Sequence, residues 1–111
     1  MLGICRGMQF LGHYFDVGLK KVENHVATRH RLTINRHQYG SEDGIVNSYH
    51  NLSLEKCPKG FEITATSEDE NIEGIANYKI NWEGWMWHPE REIEFFKSDL
   101  LRAQKILFSN K

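Results

Sequence analysis

The stretch Leu2-Gly3-Ile4-Cys5-Arg6-Gly7-Met8-Gln9 decides how the rest of the chain is read. A short apolar lead runs into a cysteine flanked at two-residue spacing by glycines, and a pattern of helical period follows from Met8 onward. This is the layout of a nucleophile elbow, a strand turning sharply into a helix with the reactive atom at the apex. A side chain at Gly3 or Gly7 is expected to crowd the turn, and the turn is expected to strain the residue at its apex. A cysteine there lies at a helix N-terminus, where unpaired amides and the macrodipole favour negative charge, so a thiolate is expected near neutral pH. The Arg6 amide would face the apex and form one half of an oxyanion hole. Taken alone, the pattern fits an inert cysteine buried between two turn glycines equally well.

Downstream, Met8, Leu11, Phe15 and Leu19, with Phe10 and Tyr14, make a broad apolar face at helical spacing, so a helix is expected from about Arg6 to Asp16. The segment from Lys20 to Arg36 is basic and carries His25 and His30, with His37 just beyond it. These three histidines lack an acidic or cysteine ligand at a fitting interval, so they read as solvated loop and strand-edge residues, and no metal site is expected. Arg31 to Asn35 and Ile45 to His50 read as strands, the latter running into a loop anchored by Leu52 and Leu54. Cys57 precedes a proline in a polar turn and reads as an incidental surface thiol. Phe61–Thr66, Ile72–Ala76 and Asn81–Trp87 read as three consecutive short strands, an antiparallel or mixed edge of a sheet. Glu90 to Leu107 reads as one long amphipathic helix with Ile93, Phe96, Leu100, Ala103 and Leu107 on its buried face.

Composition bounds the class. The chain has 111 residues, 26% charged and 40% hydrophobic, which allows a single ordinary globular domain. A formal charge of -1 leaves no basic surplus for phosphates, which argues against nucleic acid as a partner. No apolar run is long enough to cross a bilayer, and Arg6 and His13 interrupt the N-terminal apolar stretch, so neither a membrane nor a secretory role is expected. The 2 cysteines then suggest a reducing cytoplasm rather than a disulfide scaffold.

A second chemical motif, Trp87-His88-Pro89-Glu90, closes the last strand. Proline holds His88 extended, and in extended chain residues two apart point the same way, so the Glu90 carboxylate can reach the His88 ring. A histidine whose tautomer is fixed by an acid is the base that a cysteine nucleophile needs.

Gly3-Ile4-Cys5-Arg6-Gly7-Met8-Gln9 together with Trp87-His88-Pro89-Glu90 resembles the class I glutamine amidotransferases, in particular the branch that includes γ-glutamyl hydrolases. Val46-Asn47-Ser48-Tyr49-His50, Thr64-Ala65-Thr66-Ser67 and Ile72-Glu73-Gly74 also match that branch's spacing. The resemblance implies an α/β fold: an incomplete flavodoxin-like three-layer sheet with a nucleophile elbow, a short antiparallel or mixed strand block and a C-terminal helix. It implies Cys5 as nucleophile, His88 as general base and acid, and Glu90 as its orienting residue. Gln9, with the backbone around Arg6, Asn51 and Leu52, is implied to hold a glutamine or γ-glutamyl substrate. No cofactor is implied, and a synthase partner receiving ammonia is one possibility within the family. Family members carry about as much chain again before the elbow, including central strands and a loop that supplies the second oxyanion amide. Residues 1–111 therefore read as the C-terminal half of a single class I glutamine amidotransferase-like domain, a piece of a longer protein or a truncated product, with little or no activity expected in isolation. The alternatives are an inactive interaction or regulatory remnant and, more remotely, a redox sensor built on the same thiol.

Overall fold

The structure is a computed structural model that describes residues 1–108. Strand β1 (Leu2–Ile4) feeds helix α1 (Arg6–Tyr14) directly through Cys5. Then follow β2 (Leu19–Lys21), β3 (Val26–Arg31), β4 (Thr33–Ile34), β5 (Ile45–Tyr49), β6 (Leu52–Leu54), β7 (Glu62–Thr66), β8 (Ile72–Asn77) and β9 (Trp82–Trp85). A single 3-10 turn (Pro89–Arg91) precedes helix α2 (Lys97–Phe108).

Five strands form the main sheet in the order β1-β9-β8-β7-β4. β7, β8 and β9 are a continuous antiparallel meander, as their alternation and polar turns predict, and β1 joins it in parallel against β9 with Ile4 opposite Trp85. β2 with β6 and β3 with β5 make two further antiparallel ribbons that the sequence pattern does not reveal. The expected strand at Arg31–Asn35 is split, because the chain leaves β3 at Arg31, buries Leu32 and re-enters the main sheet at Thr33.

Two cores lie on opposite faces of this sheet. Under α1, Cys5, Met8, Val17, Leu54, Ile72, Ile75 and Met86 pack together. The approach is close, since a Cβ on Gly84 would lie 2.8 Å from Met8 Cγ. Under α2, Trp85, Trp87, Tyr39, Val46, Leu32, Ala65 and Ile106 form the other core. Two-residue spacing puts Trp85 and Trp87 on the same face, where their rings stack at 5.1 Å, while Met86 between them belongs to the opposite core. The result is the three-layer α/β arrangement.

Both helices bury less of their apolar residues than the periodicity suggests. α1 stops at Tyr14, where Asp16 adopts φ 63° and the Asp16 and Val17 amides donate back to His13 and Gly12 carbonyls, a Schellman-type ending. Phe10 and Tyr14 remain 66% and 65% exposed. The long helix expected from Glu90 begins only at Lys97, after the 3-10 turn and a non-helical stretch. Its buried face is also rotated: Asp99 and Ile106 point inward, whereas Leu100 and Leu107 are exposed and Ile93 lies outside the helix in open solvent. Polar anchors cause the rotation. Asp99 accepts from the Gly40 amide (2.8 Å) and from Trp87 Nε1 (3.1 Å), and Arg102 donates to both oxygens of buried Glu83. Glu83 also accepts from Tyr39 and from Trp85 Nε1, each at 2.8 Å. Cys57 is half-buried against the α1-side core and donates its thiol to Phe61 O, so it is a packed residue rather than a surface thiol.

Candidate active site

Cys5 sits at φ 51° and ψ -99°, a conformation that costs a non-glycine residue about 1–3 kcal/mol. The surroundings hold it there. Its amide donates to Trp85 O at 2.7 Å, and its carbonyl accepts from the Gln9 amide at 3.0 Å as α1 begins. The tightness of the turn explains Gly3 but not Gly7. A Cβ on Gly3 would lie 2.7 Å from Gly7 C and 2.8 Å from Gly7 O, whereas a Cβ on Gly7 would meet nothing within 4 Å. Gly7 is thus the wall against which Gly3 packs, not a second crowded position.

The parallel register brings the second motif to the same end of the sheet. Cys5 follows Ile4, the partner of Trp85, and His88 lies three residues past Trp85, beyond the end of the neighbouring strand. His88 Nδ1 and Glu90 Oε2 are 2.6 Å apart, so the expected pair forms, but across the start of the 3-10 turn rather than along extended chain. Among the described residues no hydrogen bond joins Cys5 Sγ to the His88 ring. Asn47 clamps the backbone of His88 from both sides, accepting from its amide at 2.8 Å and donating to its carbonyl at 2.7 Å. The same Asn47 amide donates to Glu92 at 2.7 Å, and Arg29 grips Glu92 with two bonds. Burial pushes the Glu92 carboxyl up, but the bonds from Arg29 and Asn47 outweigh it and hold the group below its ordinary range. Arg91 lies over the Tyr49 ring at 4.6 Å, and Tyr49 meets the His88 ring edge to face. Asn47, Tyr49 and Arg91 have no motif of their own beyond the family-like stretch around residue 47, and their roles emerge only from topology.

The thiol is not the ready thiolate expected from the helix N-terminus. Cys5 is buried, and burial raises its pKa, with the Glu73 carboxylate adding to the rise. The Arg6 amide and the charges of Arg91 and Arg6 oppose this without overcoming it. A cysteine so placed needs a base to ionise it at neutral pH.

The four positions expected to hold substrate are only partly united. Gln9 Nε2 donates to Leu52 O at 3.2 Å, so these two meet, but each uses the other. Arg6 is exposed and shares with Gln9, His13 and Leu19 a cleft of about 360 Å³. Asn51 is exposed outside that cleft, its carbonyl accepting from Val22. A larger groove of about 1360 Å³ runs between α2 and residues 36–42, away from Cys5 and His88.

The reading of His25 as a solvated residue is overturned. His25 is fully buried, with Nε2 at 2.6 Å from Asp69 and Nδ1 at 3.2 Å from His50 Nε2. Fully buried Glu73 places Oε2 at 3.2 Å from His50 Nε2 and 3.5 Å from His25 Nδ1. The acidic partners come from β8 and the turn before it, which no spacing around residue 25 reveals. Bonding to Glu73 raises the His25 pKa against the effect of burial. His30 and His37 are half-buried, His30 with its ring 4.2 Å from that of His25 and His37 paired with Tyr78.

A cysteine on a strained strand-to-helix turn, in a three-layer α/β fold, with a histidine–carboxylate pair just past the same end of the adjacent parallel strand, is the arrangement of a cysteine-elbow protein. Within it, the chain belongs to the glutamine amidotransferase class-I family, whose model matches residues 1–107. It is 35% identical to the γ-glutamyl-CDP-amidate hydrolase of Campylobacter jejuni, covering 83% of this chain and 43% of that protein. It is 26% identical to the glutamine-hydrolysing GMP synthase of Ruthia magnifica, covering 95% of this chain and 23% of that protein. The crystal structure of a glutamine amidotransferase from Thermotoga maritima shares the fold, with a TM-score of 0.69 at 19% identity, covering 97% of this chain and 47% of the other. The chain thus spans less than half the length of each of these relatives. Among the described residues no helix is long and apolar enough to cross a membrane.

Proposed function

We propose that the chain carries the nucleophile and base of a cysteine-dependent hydrolysis of a γ-glutamyl amide, glutamine or a γ-glutamyl amine. The observation that carries the reading is the register of β1 on β9, which sets a strained Cys5 and the Glu90-paired His88 at one end of adjacent strands. His88 takes the proton that the buried thiol resists losing, and Cys5 Sγ attacks the γ-carbonyl carbon. The oxyanion is met by the Arg6 amide, the C–N bond breaks, and His88 returns the proton to the departing nitrogen. Water then adds to the γ-glutamyl thioester with His88 as base, releasing glutamate and the thiol. Glu90 keeps the His88 ring in the tautomer and orientation both steps require.

The same reading makes residues 1–111 the C-terminal half of one amidotransferase-like domain. Supporting it, β1 pairs only with β9 among the described residues, and α1 leaves Phe10 and Tyr14 exposed. A segment that pairs with β1 would also bring the second oxyanion donor, whose absence costs about 3–4 kcal/mol of transition-state stabilisation. The hydrolase-named relative favours a hydrolase over an ammonia-supplying subunit, and the GMP synthase relatives keep the latter open.

The test is covalent capture with a glutamine-mimicking diazoketone followed by peptide mapping. One adduct on Cys5, lost in Cys5→Ser and slowed in His88→Gln, is the expected result. Modification of Cys57 alone, or equal rates at Cys5 with and without His88, contradicts it. Comparing glutamate release from glutamine and from γ-glutamyl amines by the complete domain then separates the two family branches.

A further inference from the structure

The buried histidine cluster stands apart from the Cys5–His88 chemistry, and its proton positions are fixed from outside. His50 Nδ1 lies 2.9 Å from Leu52 O, which only accepts, so the ring carries its hydrogen there. His25 Nε2 lies 2.6 Å from an Asp69 carboxylate oxygen, so that ring carries its hydrogen on Nε2. Both neutral rings then turn lone pairs toward each other, His25 Nδ1 and His50 Nε2, 3.2 Å apart. Glu73 adds a carboxylate oxygen at 3.2 and 3.5 Å from them, so with both rings neutral three electron-pair donors converge on one point. Something positive must sit among them. A single added proton bridges one edge of the triangle, while Glu73 Oε1, fully buried, makes no hydrogen bond among the described residues.

A metal ion satisfies the whole triangle at once. Ligands about 2.0–2.1 Å from a tetrahedral zinc lie roughly 3.3–3.4 Å from one another by simple geometry. The observed edges are 3.2, 3.2 and 3.5 Å. The outer contacts also match: a metal-bound imidazole donates its remaining N–H to a carboxylate or a backbone carbonyl, as His25 does to Asp69 and His50 to Leu52 O. We propose that His25, His50 and Glu73 form a binding site for one divalent cation of the zinc class, with Asp69 and Leu52 O orienting the two imidazoles. Two imidazoles and one carboxylate suit zinc, cobalt or iron(II) better than magnesium or calcium, which take all-oxygen sites. The three ligands come from the loop before β3, the residue just after β5 and the start of β8, so the ion clips the β3–β5 ribbon to the main sheet. Leu52 O also accepts from Gln9 Nε2, so the clip extends to the start of α1.

The test is a titration of chelator-stripped protein with Zn²⁺ against a competing metallochromic dye, together with the visible absorption of the Co²⁺ form. The expected result is one ion per chain, a tetrahedral Co²⁺ spectrum, and a melting midpoint that rises with Zn²⁺ and falls with EDTA. Glu73→Gln weakens binding by more than 100-fold, while Asp69→Asn, at the half-exposed rim, keeps the fold and weakens it about 10- to 100-fold. Cys5→Ser with Cys57→Ser leaves the affinity unchanged. No binding at micromolar metal in the wild-type chain, or binding that survives both Glu73→Gln and Asp69→Asn, overturns the proposal.

Discussion

Removing the Asn47 side chain probes the support of His88 in both stability and reactivity. Asn47→Ala deletes three bonds of 2.7–2.8 Å: acceptance from the His88 amide and donation to the His88 carbonyl and to Glu92. A typical net hydrogen bond contributes about 1 kcal/mol, and a buried group left unsatisfied costs about 1–3 kcal/mol. His88 is only half-buried, so water recovers part of the loss at its backbone, and the expected destabilisation is about 2–3 kcal/mol. Urea unfolding should show this as a lower midpoint at unchanged slope. Asn47→Asp keeps the acceptor for the His88 amide but sets a second carboxylate against Glu92, which Arg29 holds ionised. Its loss should be at least as large at neutral pH and should shrink on acidification as the carboxylates share a proton. Both variants should also slow diazoketone capture at Cys5, because a displacement of about 1 Å in a catalytic group can cost about 100-fold. A change below about 0.5 kcal/mol for Asn47→Ala, with unaltered capture, would refute the clamp.

Three further outcomes are expected. Arg102→Met keeps the aliphatic stem but strands buried Glu83, and should cost about 3–5 kcal/mol in urea unfolding, with much of it recovered by adding Glu83→Gln. Burial raises the Asp99 carboxyl to about 6, so the folded state holds that proton more tightly than the unfolded chain. The stability it contributes is full below the ordinary carboxylate range and falls by up to about 3 kcal/mol as pH rises through 6, a slope that Asp99→Asn should flatten. Gly3→Ala should cost about 1–3 kcal/mol by driving a methyl group into the Gly7 backbone, whereas Gly7→Ala, with open space and a helical position, should be neutral or slightly stabilising by thermal melting.

The elbow and the meander were readable because their determinants are local. Gly3 and Cys5 mark the turn, alternation marks β7 to β9, and the His88–Glu90 pair is local too, although it closes across the start of a 3-10 turn rather than along extended chain. What escaped depends on residues brought from far apart. His25 meets its partners 25, 44 and 48 positions away, at His50, Asp69 and Glu73, so no interval could announce the cluster. The α2 face departs from its apolar periodicity because Asp99 and Arg102, polar in sequence, find buried partners in Trp87, Gly40 and Glu83 and turn the helix inward on them. The ionisation of Cys5 departs from the motif because a helix N-terminus favours the thiolate only when the sulfur is not also buried in the core around Met86.

The rate of Cys5 alkylation by a small neutral electrophile, followed against pH in the wild type and in His88→Gln, addresses whether sulfur and imidazole work as one unit. If they do, the wild-type profile rises at distinctly lower pH, and without His88 it shifts upward toward that of the buried, unassisted thiol. Superimposable profiles would mean that the two groups share an end of the sheet without sharing a proton.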